Sequence, residues 1–201
     1  MHQTDDDVDL ARDLLSGKEE AFDRFLERFR TKIFQYSYLM CGQREDAEEV
    51  SQETLLKVFE KLDQLKEPEN IRAWVFRIAK NACLMKRRKS VFAPERELSL
   101  EELIPAGDGE GVERKLQLAD WSALPETQAL NSELRAVLER AIGELPEIYR
   151  SVILLRDVEE LTTEEAAQVL EVGTDVVKTR LHRARLAVRK KLDGYLQSAR
   201  G

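Results

Sequence analysis

The sequence predicts an all-α protein of two small helical domains joined by a flexible linker. Three observations lead there. Apolar residues recur at helical spacing near both ends of the chain and lose that spacing between them. No segment alternates apolar and polar residues as a half-buried strand would. Charged residues make up 35% and aromatic residues 6%, a balance suited to helices with solvated outer faces. At 201 residues the chain can bury two modest cores.

The elements follow in order. Val8, Leu10, Ala11, Leu14 and Leu15 make the apolar face of a first helix, ended by Ser16-Gly17. A second runs from Lys18 to the Cys41-Gly42 stop on the stripe Ala21, Phe22, Phe25, Phe29, Ile33, Phe34, Tyr36 and Leu39. The third covers about 45–65, with Ala47, Val50, Leu55, Val58, Phe59 and Leu62 inward and acidic residues dominating its first half. Pro68 marks a break and Asn70 an N-cap. A fourth helix, about 71–89, buries Ile71, Trp74, Val75, Ile78, Ala79 and Ala82, then turns basic at Lys86, Arg87, Arg88 and Lys89.

Between 92 and 130, Pro94, Pro105, Pro125 and the run Gly107-Asp108-Gly109-Glu110-Gly111 break any long helix, so an acidic linker is expected. A short amphipathic piece around Leu116, Leu118 and Trp121 lies inside it. Helices resume at about 133–143, 146–158, 163–170 and 175–192. Thr162 or Thr163 supplies an N-cap, with Glu164 and Glu165 favourable in the first turn. The expected division is therefore 1–91, a linker over 92–130, and 131–197.

The net charge of -7 would seem to argue against nucleic acid, because phosphate contact needs a positive surface. Local charge decides instead. Acidic residues crowd into 5–9, 45–53 and 95–113, whereas basic ones collect in 77–89 and 178–191. Cys41 and Cys83 both lie in apolar helical patterns without metal spacing, which suggests reduced core thiols. No basic leader and no apolar run of spanning length appear, so a cytoplasmic protein is expected.

The most informative stretch is TEEAAQVLEVGTDVVKTRL, residues 163–181. A helix-turn-helix needs a small residue where its helices touch, a turn about four residues later, and a branched apolar residue on the second helix. Ala167, Glu171-Val172-Gly173 and Val177 supply them. Val177, Leu181, Ala184, Val188 and Leu192 mark the buried side, leaving Lys178, Thr179, Arg180, Arg183 and Arg185 outward, with Thr174 at the helix start. Such a helix enters the major groove, where Arg and Lys donate to guanine edges. An ordinary amphipathic helix would not explain why residues 176–192 hold basic residues and no acidic one. Glu171 stands where many such turns have glycine, and a left-handed backbone there would be strained, unless Gly173 takes that conformation.

With these residues in view, GELPEIYRSVILLRDVEELTTEEAAQVLEVGTDVVKTRLHRARLAVRKKL resembles the fourth conserved region of bacterial sigma factors. Residues 46–62, DAEEVSQETLLKVFEKL, resemble the second-region helix that docks on RNA polymerase, and NIRAWVFRIAKNACLMKRRK resembles the segment that reads the minus-ten element. With only these two regions, the chain resembles the extracytoplasmic-function (ECF, group IV) sigma factors. The resemblance implies a non-enzymatic initiation factor without a cofactor, whose partners are the clamp helices of core polymerase, promoter DNA and an anti-sigma factor. By position, Asp46, Glu49, Gln52 and Glu53 would meet the clamp. The charges alone fit a solvated helix surface equally well.

The resemblance also places Asn70, Arg77, Lys80, Asn81, Arg87 and Arg88 near promoter DNA. The loop 66–70 corresponds to one that pockets a flipped base, and Trp74 and Phe76 are candidate stacking platforms, Trp74 fitting the core better. Met85 and Ser51 depart from the family pattern. Thr174, Lys178, Thr179, Arg180, Arg183 and Arg185 would read or clamp the minus-thirty-five element, with His182 as a phosphate or water contact. Two other readings remain at this point: a regulator that binds an operator unaided through a dimerising N-terminal half, and a sigma mimic, which would carry a receiver domain not seen here.

Overall fold

The computed structural model of the chain describes residues 2–89 and 128–198, and their regular structure is helical throughout. Helices α1 (His2–Leu15), α2 (Ala21–Cys41), α3 (Arg44–Glu60) and α4 (Ile71–Lys89) form the N-terminal half, with 3-10 turns Leu62–Gln64 and Pro68–Asn70 between the last two. The C-terminal half has α5 (Gln128–Gly143), α6 (Glu147–Ile153), α7 (Thr163–Leu170) and α8 (Thr174–Ser198). The linker expected over 92–130 lies outside the described residues up to 127. From 128 the chain is already helical, so α5 begins about a turn earlier than its periodicity suggested.

α2 is the spine of the N-terminal half because its stripe is both aromatic and deeply buried. Phe25, Phe29, Ile33 and Tyr36 are sealed from solvent. The Phe25 and Phe29 rings stack at 4.7 Å, and Tyr36 meets Phe76 edge-on at 5.5 Å. Gly42 ends the helix at φ 79, its N–H donating to the Tyr38 carbonyl at 2.8 Å; a side chain would be strained in that left-handed conformation. α3 packs through Ala47, Val50, Ser51, Thr54 and Val58, all small or branched, which lets the helices approach closely. The buried Thr54 hydroxyl donates to the Val50 carbonyl at 2.7 Å, so its burial leaves no unmade bond.

Phe59 corrects the expectation of an inward side chain. It is 62% exposed, one position round the helix from the buried Val58, with its ring edge on Phe22 at 5.1 Å. Leu55 and Leu62 are only partly buried. Asn70 ends a 3-10 turn, its side-chain amide donating to Glu67 at 2.6 Å. Trp74 and Phe76 are both core residues.

In the C-terminal half, Val152, Leu154, Leu155, Leu161, Val169, Val177 and Ala184 are fully buried. The expected 146–158 helix is α-helical only to Ile153 and continues as a π-helical stretch, Leu154–Val158. Thr162 caps α7: its hydroxyl accepts from the Glu165 N–H and the Glu165 carboxylate accepts from the Thr162 N–H. The alanine fully buried at the helix contact is Ala166; Ala167 is half-buried, and its carbonyl accepts from Glu171 and Val172.

The turn takes the strained option. Glu171 is left-handed at φ 57, and Gly173 has no positive φ. The expectation that Gly173 relieves Glu171 is therefore wrong: the backbone reverses immediately after Leu170, two residues before the glycine. Glu171→Gly is expected to raise stability by about 1 kcal/mol, since a left-handed L-residue costs that order of energy. The denaturation midpoint of the variant checks it.

The halves pack on one another over a continuous apolar cluster. α7 lies across α4, and α5 and α6 touch α2. Buried cations cross this seam onto backbone carbonyls, a geometry that satisfies otherwise orphaned acceptors at helix ends. Arg72 donates to the Glu159 carbonyl at 2.6 Å, Lys80 to the Val169 carbonyl at 2.9 Å, and Arg150 to the Met40 carbonyl at 3.0 Å.

Candidate nucleic-acid and protein interfaces

Three surfaces carry the residues singled out by sequence. The first is the outer face of α3. With Val50, Thr54 and Val58 inward, helical spacing turns Glu49, Gln52, Leu56 and Phe59 outward in one row. Glu49 is 65% exposed, and Glu53 and Asp46 flank the row half-exposed. Lys86 of α4 pairs with Glu49 at 2.5 Å and Asp46 at 3.3 Å, while Lys57 pairs with Glu53 at 2.5 Å. The face is thus acidic toward the start of α3 and apolar toward its end. Sequence reasoning missed Leu56 and Phe59 here. The available signal was their spacing of seven residues from Glu49 and Gln52, two helical turns along the same face.

The second surface surrounds the loop before α4. Gln64, Lys66, Glu67, Asn70, Trp74 and Arg77 line a cavity of about 300 Å³ that Gln168 of α7 also borders. Asn81 and Arg77 are exposed. Lys80 and Arg87 depart from the expectation that they surround Asn81 on an open face. Lys80 is buried under α7 with its amine on Val169, and Arg87 pairs with Glu147 of α6 at 3.2 Å. Desolvation lowers the Lys80 amine below its ordinary value, partly offset by Glu171. The Arg88 side chain lies outside the described residues.

The third surface is the start of α8. Lys178 and Thr179 are exposed, and Thr174, Arg180 and Arg183 half-exposed. Arg180, Arg183, Thr179 and Val176 line an open groove of about 510 Å³ floored by Ile148 and Tyr149. The Thr179 hydroxyl donates to the Asp175 carbonyl at 2.9 Å. Arg185 corrects the expectation of an outward contact. Its guanidinium makes a two-pronged bond to Asp157 at 2.9 and 2.6 Å, and the Asp157 side chain is only 6% exposed. That bond raises the Arg185 pKa and fastens α8 to the π-helical stretch. His182 is exposed.

The chain matches the Sigma-70 region 2 family over residues 25–91 and the Sigma-70 region 4 family over 135–188. It is 31% identical over 176 residues to the ECF RNA polymerase sigma factor SigW of Bacillus subtilis, covering 88% of this chain and 91% of that one. The chain belongs to the ECF sigma factors.

As a sigma factor it directs core RNA polymerase to promoters, a non-enzymatic role, with region 2 reading the minus-ten element and the region 4 helix-turn-helix the minus-thirty-five element. The RNA polymerase sigma-H factor of Pseudomonas aeruginosa is 28% identical over 203 residues, 99% of this sigma factor and all of that protein. The structure of CnrH in complex with the cytosolic domain of CnrY matches it with a TM-score of 0.64 at 25% identity, over 94% of this chain and 97% of that one. The sigma factor RpoE of Bartonella quintana, solved with the anti-sigma factor NepR, shares the fold at a TM-score of 0.61 and 22% identity. All three surfaces of this sigma factor fall within the two matched regions. No helix among its described residues is long and apolar enough to cross a membrane.

Proposed function

We propose that this sigma factor grips core polymerase through the outer face of α3, with Asp46, Glu49, Gln52 and Glu53 as its acidic rim and Leu56 and Phe59 as its apolar centre. The observation that carries the reading is that row on α3, in which exposed carboxylates run directly into two large exposed apolar side chains. Such a combination suits a basic partner groove, the charges setting partner choice and on-rate and the apolar residues adding buried area. A face whose first half carries exposed and half-exposed carboxylates does not suit the dimerising core that an unaided operator-binding regulator would need.

In this reading Asn70, Arg77 and Asn81 contact minus-ten DNA, and the 300 Å³ cavity takes an extruded base. Lys80 and Arg87, and with them Arg88, join that surface once α7 and α6 move away. Thr174, Lys178, Thr179, Arg180 and Arg183 meet the minus-thirty-five element, while Arg185 positions α8 through Asp157. The functional units are 1–91 and 131–197, joined by 92–130, and the protein acts in the cytoplasm where polymerase and template are. An anti-sigma partner belongs to the same reading, since RpoE of Bartonella quintana, which shares the fold, was solved with the anti-sigma factor NepR.

Gel filtration with core polymerase tests the grip. The wild type is expected to co-elute, and Glu53→Lys to weaken association at least about tenfold, roughly 1.4 kcal/mol. Undiminished binding by the variant would remove the α3 face from the interface. For the upstream element, Arg180→Ala is expected to cost about 1–3 kcal/mol of recognition, the range for one arginine reading a base. It is measured by footprinting holoenzyme on a promoter whose minus-ten element is intact; an unchanged footprint would show that Arg180 does not read DNA.

A further inference from the structure

One face of α4 carries Trp74, Arg77, Asn81 and Met85, which follow one another at spacings of three, four and four residues. The first part of this row belongs to the second surface: Trp74 and Arg77 line the 300 Å³ cavity, and Asn81 is exposed beyond them. Met85 continues the row by one more turn. It is 51% exposed, the one large apolar side chain of α4 left in water among the described residues. Its neighbours are drawn away from it to either side. Lys86 reaches α3, where it pairs with Glu49 at 2.5 Å and Asp46 at 3.3 Å, and Arg87 reaches Glu147 of α6 at 3.2 Å. A long cationic side chain can lay its stem over apolar surface and screen it. Here both adjacent stems are held elsewhere.

Single exposed apolar residues are ordinary on protein surfaces. What sets Met85 apart is its register with Arg77 and Asn81. An α-helix rises 1.5 Å per residue, so Met85 lies about 6 Å along α4 from Asn81 and about 12 Å from Arg77. At 3.4 Å per base, those lengths correspond to about two base steps from the base that faces Asn81 and three or four from the one at the cavity. A thioether has no hydrogen to donate and is a weak acceptor, so it reads none of the polar groups of a base edge well. The apolar feature of those edges is the C5-methyl group of thymine, and an unbranched, polarizable side chain adapts readily to it.

We propose that Met85 is a specificity-determining residue of the minus-ten surface, packing on the methyl group of a thymine about two base steps from the base that faces Asn81. This rests on the reading of Arg77 and Asn81 as minus-ten contacts. Arg77 supplies a cation, Asn81 an amide that matches an adenine edge, and Met85 the apolar contact that favours thymine over cytosine, which lacks the methyl.

The test uses holoenzyme reconstituted from the full chain and core polymerase, on a promoter that the wild type selects from a random library. Deoxyuridine replaces each thymine of the minus-ten element and its flanks in turn, which removes only the methyl group. Wild-type holoenzyme is expected to lose about fourfold in affinity at one position, the worth of burying one methyl-sized group. Met85→Ala is expected to bind the unsubstituted promoter at least that much more weakly, and to lose nothing further when the methyl is removed. Met85→Leu, which restores apolar bulk, is expected to regain the methyl dependence. Equal dependence in the wild type and Met85→Ala, or none at any thymine, would overturn the assignment. So would a Met85→Ala protein that elutes free of core polymerase, since Met85 would then belong with Leu56 and Phe59. Asn81→Ala separates the two proposals. If it weakens the minus-ten footprint while Met85→Ala leaves it unchanged, the Met85 contact alone falls; if neither variant alters it, this face of α4 does not meet DNA and both fall.

Discussion

Glu159→Gln is expected to raise stability by about 3 kcal/mol at pH 8 and by less than about 1 kcal/mol at pH 5. Glu159 lies beneath the seam, 5% exposed, where burial pushes its carboxyl up to about 7 from 4.5 against the opposing pull of Lys32 and Arg72. The folded state therefore holds this proton more tightly than the unfolded chain does. Its contribution is fully present below pH 4.5, declines as the pH climbs toward 7, and above that the fold carries a desolvated carboxylate. Glutamine has nearly the same shape without that charge. It also leaves intact the backbone carbonyl to which Arg72 donates. Urea titrations of both proteins at the two pH values isolate the effect, since every other titrating group is common to them. A constant gap between variant and wild type would show that Glu159 is ionised normally in the fold.

The opposite sign is expected for Arg150→Met, a loss on the order of 3 kcal/mol, because three acceptors lose their donor at once. The Arg150 guanidinium, 8% exposed, donates to Met40 at 3.0 Å, to Leu145 at 2.9 Å and to Gly143. Burial lowers its pKa to about 10, which still leaves it charged at neutral pH. Methionine fills much of the same space but satisfies none of those carbonyls. The Met40 bond also joins the two halves, so amide exchange at the end of α2 is expected to accelerate along with the fall in denaturation midpoint. An exchange rate unchanged at α2 would confine the role of Arg150 to its own half.

Much of the molecule was legible before any coordinates. The apolar row Val177, Leu181, Ala184 and Val188 is buried as its spacing required, and Thr162 caps α7 with the help of Glu165. The acidic start of α3 and the polar start of α8 are exposed or half-exposed. Other placements were not legible in the sequence, for identifiable reasons. Phe59 belongs to an apolar pattern but lies on the flank of a seam made by smaller residues. A strained Glu171 was foreseen; that Gly173 does not relieve it depends on where the chain reverses. Lys80, Arg87 and Arg185 carry the right charge for DNA, yet their partners in this structure are Val169, Glu147 and Asp157.

What the sequence alone determined is everything that repeats every three or four residues: which segments are helices, which side of each is apolar, and where charge of one sign gathers. Those features depend on neighbours within a turn or two, so they are written in local spacing. Tertiary structure alone decided which cations remain available for a template and which apolar side chains stay in water. Each of these depends on a partner many residues distant, 89 for Lys80 and 60 for Arg87. A buried cation goes to whichever carbonyl or carboxylate the packing of the helices brings to it, and periodicity carries no record of that choice.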